Sequence, residues 1–214
     1  MAGHAHPLTR ALAVGEAENR LGMTVRPSRA IWVTNAAAGW PHTTETRRAL
    51  GGQQSSRRLG AMQITLRLGT TADTDAVGAL HARCSAQTLF TRYHAGLGKI
   101  PPRWLTRLLQ PPNGTTVVAA CGSEVVAIAQ LIPTGRAEAE VAVLVEDGWQ
   151  RRGLGTALIR RLAADARATG HQRLIAWCLP AEPGFVRAAA ASGLPVTARH
   201  EDDLLRVALG VRGR

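Results

Sequence analysis

Hydrophobic and polar residues form blocks of different period from residue 62 onward, and each period predicts one kind of element. Residues 64–68 alternate at every second position, as expected for a half-buried strand. Residues 154–166 carry Leu or Ala at every fourth position, which predicts an amphipathic helix. The arginines of this helix, Arg161 among them, are expected to face away from its apolar stripe.

The same patterns, with Pro and Gly as breakers, give an order of elements for the rest of the chain. We predict strand 64–68, a helix capped in 71–75 and ending near 83, helices 86–94 and 101–109, a hairpin of strands 115–120 and 125–132, strand 138–145, helix 154–166, strand 174–178, helix 184–191 and strand 204–209. Mixed strands and helices of this kind indicate an α/β domain of about 150 residues.

Residues 1–61 differ from the remainder of the chain. They contain turn and breaker residues throughout and sustain neither a helical nor a strand period. We therefore expect a poorly ordered extension at 1–61 and a folded domain at 62–214. Met62 directly precedes the first predicted strand, so one hypothesis is that the natural protein starts there and that 1–61 is a misassigned leader.

The chain has 214 residues and a formal net charge of +11, which raises the question of a nucleic-acid partner. Only Lys99 is a lysine among the 26 basic residues, a bias that a GC-rich genome also produces. The aromatic residues, 5 Trp, 1 Tyr and 2 Phe, do not alternate with the basic clusters as stacking platforms do. Nucleic-acid binding is therefore not the favoured function.

The three cysteines, Cys84, Cys121 and Cys178, are far apart and show no C-x-x-C spacing. This pattern predicts neither a disulfide framework nor a zinc ribbon, and the histidines show no ligand spacing either, so no metal is expected. No apolar run is long enough to cross a membrane, and no secretory signal is recognised. We expect a cytoplasmic protein; the sequence leaves its oligomeric state open.

The most informative segment runs from a predicted strand into the turn Gln150-Arg151-Arg152-Gly153-Leu154-Gly155-Thr156, which opens a helix. The first amides of a helix lack intrahelical acceptors and lie at the positive end of its dipole, so such a turn is suited to bind an anion. The glycines allow close approach of phosphate oxygens, and the arginines add positive charge. This turn is predicted to bind a phosphate group.

Two other phosphate motifs do not fit this turn. A dinucleotide-binding fingerprint requires a third glycine where Leu158 stands. The nucleotide P-loop requires a Gly-Lys pair, and Lys99 lies elsewhere.

The segment from Gln150 to Gly155, placed after a strand, instead resembles the Q/R-x-x-G-x-G/A acetyl-CoA signature of the GNAT family of N-acetyltransferases, and it matches at every specified position. The resemblance extends over about residues 63–209. It implies a mixed, mostly antiparallel sheet flanked by helices on both faces. Within the family, the segments 86–93, 138–145 and 179–185 are similar to the acetyltransferase domains of bacterial protein-lysine acetyltransferases.

The resemblance also implies how the co-substrate acetyl-CoA is held. Backbone amides of the turn would bind its pyrophosphate, and the end of the preceding strand would pair with its pantetheine arm. The cofactor-binding residues implied in this way are Val143, Leu144, Val145, Gln150, Arg151, Arg152, Gly153, Leu154, Gly155 and Thr156. A strand amide near Leu144 or Val145 would donate to the thioester oxygen as negative charge develops there.

Transfer of an acetyl group to an amine requires a base, because a free lysine ammonium has a pKa of about 10.4. Glu140 is the candidate: it lies in an apolar strand, where desolvation raises the pKa of a carboxyl, and the family resemblance favours it as well. Glu138 lies on the same side of the strand and is the alternative. Either glutamate could also be a solvated residue without a catalytic role.

A general acid is harder to identify. Many members of the family use a tyrosine four residues before the glycine of the closing helix; here Gly193 leads back to Ala189, and the only tyrosine is Tyr93. Cys178 is more typical of a small buried residue than of a nucleophile. The segment 201–203 is acidic and could attract a cationic acceptor, although a solvated turn is the simpler interpretation.

These observations predict an N-acetyltransferase that uses acetyl-CoA and a primary amine, with protein lysine as the expected acceptor and Glu140 as general base. Two alternatives stay open: a small-molecule amine acetyltransferase, and a non-catalytic acyl-CoA sensor. The absence of the tyrosine keeps the sensor open, whereas the presence of Glu140 argues against it.

Overall fold

The computed structural model describes residues 54–59, 62–97 and 100–211. The described helices are α1 (Thr74–Arg83), α2 (Ala86–Tyr93), α3 (Pro102–Leu109), α4 (Leu154–Ala168) and α5 (Gly184–Ala190). The described strands are β1 (Ser55–Leu59), β2 (Met62–Leu68), β3 (Thr115–Cys121), β4 (Glu124–Pro133), β5 (Glu138–Val145), β6 (Arg173–Cys178), β7 (Val196–Glu201) and β8 (Leu204–Gly210).

The strands form one sheet in the order β1-β2-β3-β4-β5-β6-β8-β7. Every neighbouring pair is antiparallel except β5 and β6, which run parallel. A parallel pair needs a crossover connection, and α4 provides it. The expected mixed, mostly antiparallel sheet is therefore confirmed.

The helices cover both faces of the sheet. The apolar stripe of α4, with Leu158 and Leu162 fully buried, packs on a core that includes Ala139 and Val141 of β5. Helices α1 and α2 pack against β4 and β5. Because side chains alternate along a strand, Glu140 lies on the face opposite α4.

The predicted elements between residues 62 and 210 agree with the structure to within about two residues at each end, and two strands were not predicted. β7 is exposed along nearly its whole length and carries no apolar alternation. β1 lies inside the segment expected to be poorly ordered, and it pairs antiparallel with β2 from Ser55↔Leu66 to Leu59↔Met62. That expectation was wrong for residues 55–59; residues 1–53 lie outside the described part of the chain.

No helix within the described ranges is both long enough and apolar enough to span a membrane.

Candidate functional site

The two central strands separate halfway along their length. β5 and β6 are in register only from Glu138↔Arg173 to Glu140↔Ile175. Beyond Glu140, β5 continues to pair with β4 as far as Val145, while β6 continues to pair with β8 as far as Cys178. A gap therefore opens in the sheet between the ends of these two strands, with Glu140 at its closed end.

The open edge of β5 presents unpaired backbone groups to this gap. The Glu146 N–H donates to the Val126 carbonyl of β4, and backbone groups alternate in direction along a strand. The amides of Val143 and Val145 consequently point away from β4 and into the gap. The Leu144 amide points toward Ile128 of β4, so of the two predicted oxyanion donors only Val145 faces the gap.

The loop that follows β5 is held firmly against the junction of α1 and α2. The Asp147 carboxylate accepts hydrogen bonds from the Ser85 N–H (2.8 Å), the Ser85 hydroxyl (2.7 Å) and the Thr88 hydroxyl (2.8 Å). These bonds hold the pKa of Asp147 below its usual range although partial burial opposes this. The Gln150 amide donates to Thr88 Oγ1 (3.0 Å) and to the Val145 carbonyl (3.1 Å). Gln150 therefore links the loop to α2 and to the end of β5, and its predicted cofactor contact stays a prediction.

Six consecutive amides follow this anchor without an acceptor. The first hydrogen bond into α4 is donated by the Ala157 N–H to the Gly153 carbonyl (3.0 Å). Before it, none of the N–H groups of residues 151–156 donates a hydrogen bond of standard geometry to a group in the described part of the chain. The positive end of the dipole of this 15-residue helix therefore lies beside a run of free backbone N–H donors.

Left-handed backbone in the turn aims these amides. Arg151 has φ 57° and Gly153 has φ 82°, and turns that contain such residues form anion-binding concavities. The Arg152 guanidinium lies over the Trp149 ring, 5.7 Å from its centroid. Both arginines are exposed, and within residues 54–59, 62–97 and 100–211 neither forms an ion pair.

The gap and the turn together fit a ligand with a diphosphate group and an extended amide-containing arm. The six free amides can surround the diphosphate, and the amides at 143 and 145 can pair with the arm as a further strand would. Acetyl-CoA has this chemistry.

The N-terminal half of α4 is fixed to α5 and to the segment that follows it. Thr156 Oγ1 donates a hydrogen bond to the Ala188 carbonyl of α5 (3.3 Å), and Arg160 donates one to the Ser192 carbonyl (3.0 Å).

Glu140 lies at the closed end of the gap in a setting that suits a base. Burial raises the pKa of its carboxyl to about 7, and the nearby Arg92 guanidinium opposes this rise. The pKa of Glu140 therefore lies close to neutral pH. A base with a pKa near the working pH both accepts and releases a proton readily.

Glu138, the alternative base, is occupied by ion pairs. Its carboxylate contacts Arg173 (2.8 Å) and Arg206 (3.4 Å), and 30% of its side chain is exposed. Its oxygens are therefore engaged by two guanidinium groups. The structure therefore favours Glu140 over Glu138.

The only tyrosine of the chain does not replace the missing general acid. Tyr93 is 2% exposed, and its hydroxyl lies 2.6 Å from Nε2 of His81, whose Nδ1 lies 2.7 Å from the Val77 carbonyl. Because a carbonyl only accepts, Nδ1 carries the proton and the Tyr93 hydroxyl donates to Nε2. Burial raises the pKa of Tyr93, so its proton stays on the hydroxyl.

Two further residues were considered for chemistry in the sequence. Ala189, at the position that corresponds to the family's tyrosine, is fully buried. Cys178 is buried at the end of β6, and burial raises the pKa of its thiol to about 12, which keeps it protonated and unreactive. Within the described ranges, no group of three or more His, Cys, Asp or Glu residues could hold a metal ion.

Sequence reasoning did not find Arg92 and Gln130, which complete the surroundings of Glu140. Arg92 donates to the Gln130 side-chain carbonyl, and its guanidinium lies over the Tyr93 ring at 4.7 Å from the centroid. The helical period of α2 could have indicated that Arg92 lies near the buried Tyr93. Nothing in the sequence identified Gln130 as the hydrogen-bond partner of Arg92.

Comparisons with known proteins agree with this geometry. The model of the acetyltransferase (GNAT) family matches residues 81–190, just over half of the chain. No curated protein sequence matches the chain.

Several solved structures share the fold. The GNAT domain of S. lividans PAT has a TM-score of 0.68 at 24% identity, with 73% of this chain and 96% of that chain covered. The putative acetyltransferase yncA from Salmonella typhimurium, solved with its cofactor acetyl-CoA, has a TM-score of 0.52 at 20% identity, covering 69% and 92%. The ribosomal L7/L12 α-N-protein acetyltransferase RimL, in complex with CoA, has a TM-score of 0.56 at 10% identity, covering 73% and 96%.

Proposed function

Because the chain belongs to the GNAT family of acetyltransferases, we propose that it transfers the acetyl group of acetyl-CoA to a primary amine, with Glu140 as the general base. The observation that carries this proposal is the run of six free amides at residues 151–156, next to a gap in the sheet that ends at Glu140. One site thus combines an anion-binding helix terminus, an open strand edge and a half-buried carboxyl.

The binding roles follow from the direction of each group. The amides of Arg151, Arg152, Gly153, Leu154, Gly155 and Thr156 would hold the pyrophosphate. Val143 and Val145 would pair with the pantetheine arm, while Leu144 keeps its ladder bond to β4. Gln150 would keep the turn in place through Thr88 and the Val145 carbonyl.

Acetyl-CoA supplies the acetyl group in an activated thioester. On the protein's side, the ionised Glu140 carboxylate takes one proton from the acceptor ammonium, which leaves the nitrogen lone pair free to attack the acetyl carbon. The Val145 amide faces the gap and can donate a hydrogen bond to the carbonyl oxygen as negative charge grows on it. The nitrogen loses a second proton as the amide forms. Since Ala189 stands in the place of the family's tyrosine, water is expected to take this proton and to protonate the leaving CoA thiolate.

We favour a protein lysine over a small amine as the acceptor. The sequence segments 86–93 and 179–185 resemble bacterial protein-lysine acetyltransferases, and the shared fold with the GNAT domain of S. lividans PAT supports the same preference. The fully buried Ala189, where the family's tyrosine is absent, favours an acyl-CoA sensor as the second candidate.

Release of free CoA thiol distinguishes these functions. Acetyl-CoA is supplied with lysine peptides, with polyamines and with aminoglycosides, and its binding is measured separately by titration calorimetry. We expect turnover with lysine peptides. Saturable binding without turnover on any amine would favour the sensor.

The role of Glu140 is tested with a matched pair of variants on one strand. Glu140→Gln should lower kcat by about a hundredfold or more, because the amide cannot take a proton, while the Kd for acetyl-CoA stays the same. Glu138→Gln, the same change two residues away on the same face, should leave kcat within about twofold, since an exposed ion pair contributes about 1 kcal/mol or less. An equal loss of kcat in both variants would contradict the assignment of Glu140 as the general base.

A further inference from the structure

Arg92 has an unusual environment for an arginine in the middle of a protein. It is half-buried on α2, and none of the carboxylates in the described part of the chain lies within ion-pair distance of it. Its Nε is buried and has no hydrogen-bond partner there. The charge of this guanidinium is therefore not neutralised by a direct partner.

Two contacts fix where that charge lies. The guanidinium lies over the Tyr93 ring, at 4.7 Å, and Tyr93 is itself held by His81. The guanidinium also donates to Oε1 of Gln130. The Gln130 amide nitrogen donates to the Leu108 carbonyl (2.9 Å), which fixes the Gln130 oxygen toward Arg92.

Gln130 places the guanidinium next to Glu140. Gln130 of β4 pairs with Ala142 of β5, and Glu140 is two residues from Ala142 on the same face. Such diagonal neighbours are about 7–8 Å apart between strands, within reach of long side chains. The charge of Arg92 also lowers the pKa of the Glu140 carboxyl, against the larger effect of burial.

The other ionisable groups of this region are already accounted for. Burial lowers the pKa of His81 on α1 and of His94 on α2, so both are neutral at pH 7. On β6 and β8, Arg173 and Arg206 pair with Glu138. On α3, the arginines at 103 and 107 are exposed to water. Among the described residues of these elements, Arg92 is therefore a half-buried cation on the side of Glu140 that has no carboxylate partner.

We propose that Arg92 is a positioning residue for the transfer reaction: its guanidinium, held by Tyr93 and Gln130, keeps part of the Glu140 population ionised and ready to accept a proton. This role rests on the proposed function of Glu140 as the base. Burial alone favours the neutral carboxylic acid, which cannot act as a base, and the nearby positive charge opposes that effect.

The separation between the two groups is part of this role. A direct ion pair, such as Glu138 forms with Arg173, would occupy the carboxylate oxygens that the proposed base needs for the proton. A guanidinium that acts across a short distance and bonds to a neutral amide leaves the pKa of Glu140 near 7, where proton transfer in both directions is efficient.

The test is a carboxyl titration of the full chain by NMR, with 13C-labelled glutamate and the Glu140 signal assigned by its loss in Glu140→Gln. In Arg92→Gln the Glu140 midpoint should rise by about one pH unit, since removal of a nearby opposite charge has an effect of this size. Arg107→Gln, which removes the same charge from an exposed position on α3, should leave it unchanged. Arg92→Met, which keeps the chain length over Tyr93, repeats the measurement should the glutamine variant fold poorly.

The pH dependence of kcat/KM gives the second readout. The acidic limb should move to higher pH in Arg92→Gln by the same amount as the NMR midpoint, because the ionised base becomes rarer at any given pH. A midpoint that moves by less than about 0.3 unit in both Arg92 variants overturns the proposal. A midpoint that moves while the acidic limb stays in place supports the coupling of Arg92 to Glu140 and overturns Glu140 as the base.

Discussion

Two glycines of the turn that we propose as the pyrophosphate site should respond differently to the same substitution. Gly153 has φ 82°, a left-handed backbone in which an L side chain is strained, although nothing lies within 4 Å of an added Cβ. Gly155 has no such φ, and a Cβ added there would lie 3.5 Å from the Cβ of Ala188, an ordinary contact. Conformation matters at 153, whereas neither conformation nor space requires glycine at 155.

The magnitudes follow from these two environments. Gly153→Ala should lower the free energy of unfolding by about 1–2 kcal/mol if the turn keeps its shape. If the turn relaxes instead, the amides of 151–156 change direction, and the Kd for acetyl-CoA should rise about tenfold or more. Gly155→Ala should be neutral or stabilising by up to about 1 kcal/mol, because alanine is the better helix former. It keeps its N–H and should leave the Kd within about twofold.

Urea unfolding and calorimetric titration with acetyl-CoA measure both quantities on the same samples. The expected result is a loss of stability or of affinity in Gly153→Ala alone. Unchanged stability together with unchanged affinity in Gly153→Ala would refute the conformational argument. Weaker binding by Gly155→Ala, equal to that of Gly153→Ala, would show that the ligand approaches the side of the helix that faces Ala188.

Further predictions concern two buried groups. Cys178→Ala should keep kcat within about twofold, because a thiol with a pKa of about 12 is almost entirely protonated at pH 8. For the same reason, mass spectrometry of wild-type protein mixed with acetyl-CoA should find no acetyl group on Cys178. An acetylated Cys178 that forms at the rate of turnover would contradict this prediction. Burial lowers the pKa of His81, so below pH 6.5 the unfolded chain binds more protons at this residue and the free energy of unfolding falls. The difference in free energy of unfolding between wild type and His81→Gln should therefore shrink from pH 7.5 to pH 5.5, by up to about 1.4 kcal/mol per pH unit below pH 6.5. Urea unfolding at the two pH values measures this difference. A difference that stays constant would argue against a neutral buried His81.

Local patterns predicted most of the fold because most elements bury one regular face. The fourfold repeat of α4 and the continuous apolar runs of β3 and β4 are examples, since each faces the core along its whole length. β1 and β7 escaped prediction for the opposite reason. They are edge strands with exposed residues. They form because they pair with β2 and β8, and this pairing is not visible in the hydrophobic pattern of their own residues.

Buried charged residues also show where local sequence patterns fail to predict the structure. The helical period predicted that Arg161 faces solvent, but Arg161 is 7% exposed and forms an ion pair of 2.9 Å with Asp165, which is fully buried. Burial raises the pKa of Asp165 while the guanidinium opposes this rise. A charge that is satisfied by a residue one turn away can enter an apolar face, and periodicity alone does not distinguish this case from a solvated one.

The candidate site could be located from sequence because its binding half is made of backbone. A turn that exposes six amides needs glycine at a left-handed position and a helix that starts directly afterwards, and both leave a local signature. The half of the site around Glu140 is made of side chains from α2, β4 and β5 that meet only in the folded chain. The residue types there, Arg92 and Gln130, are common and follow no spacing rule. The turn can therefore be recognised from one segment, whereas the environment that sets the proton affinity of Glu140 has to be read from the structure.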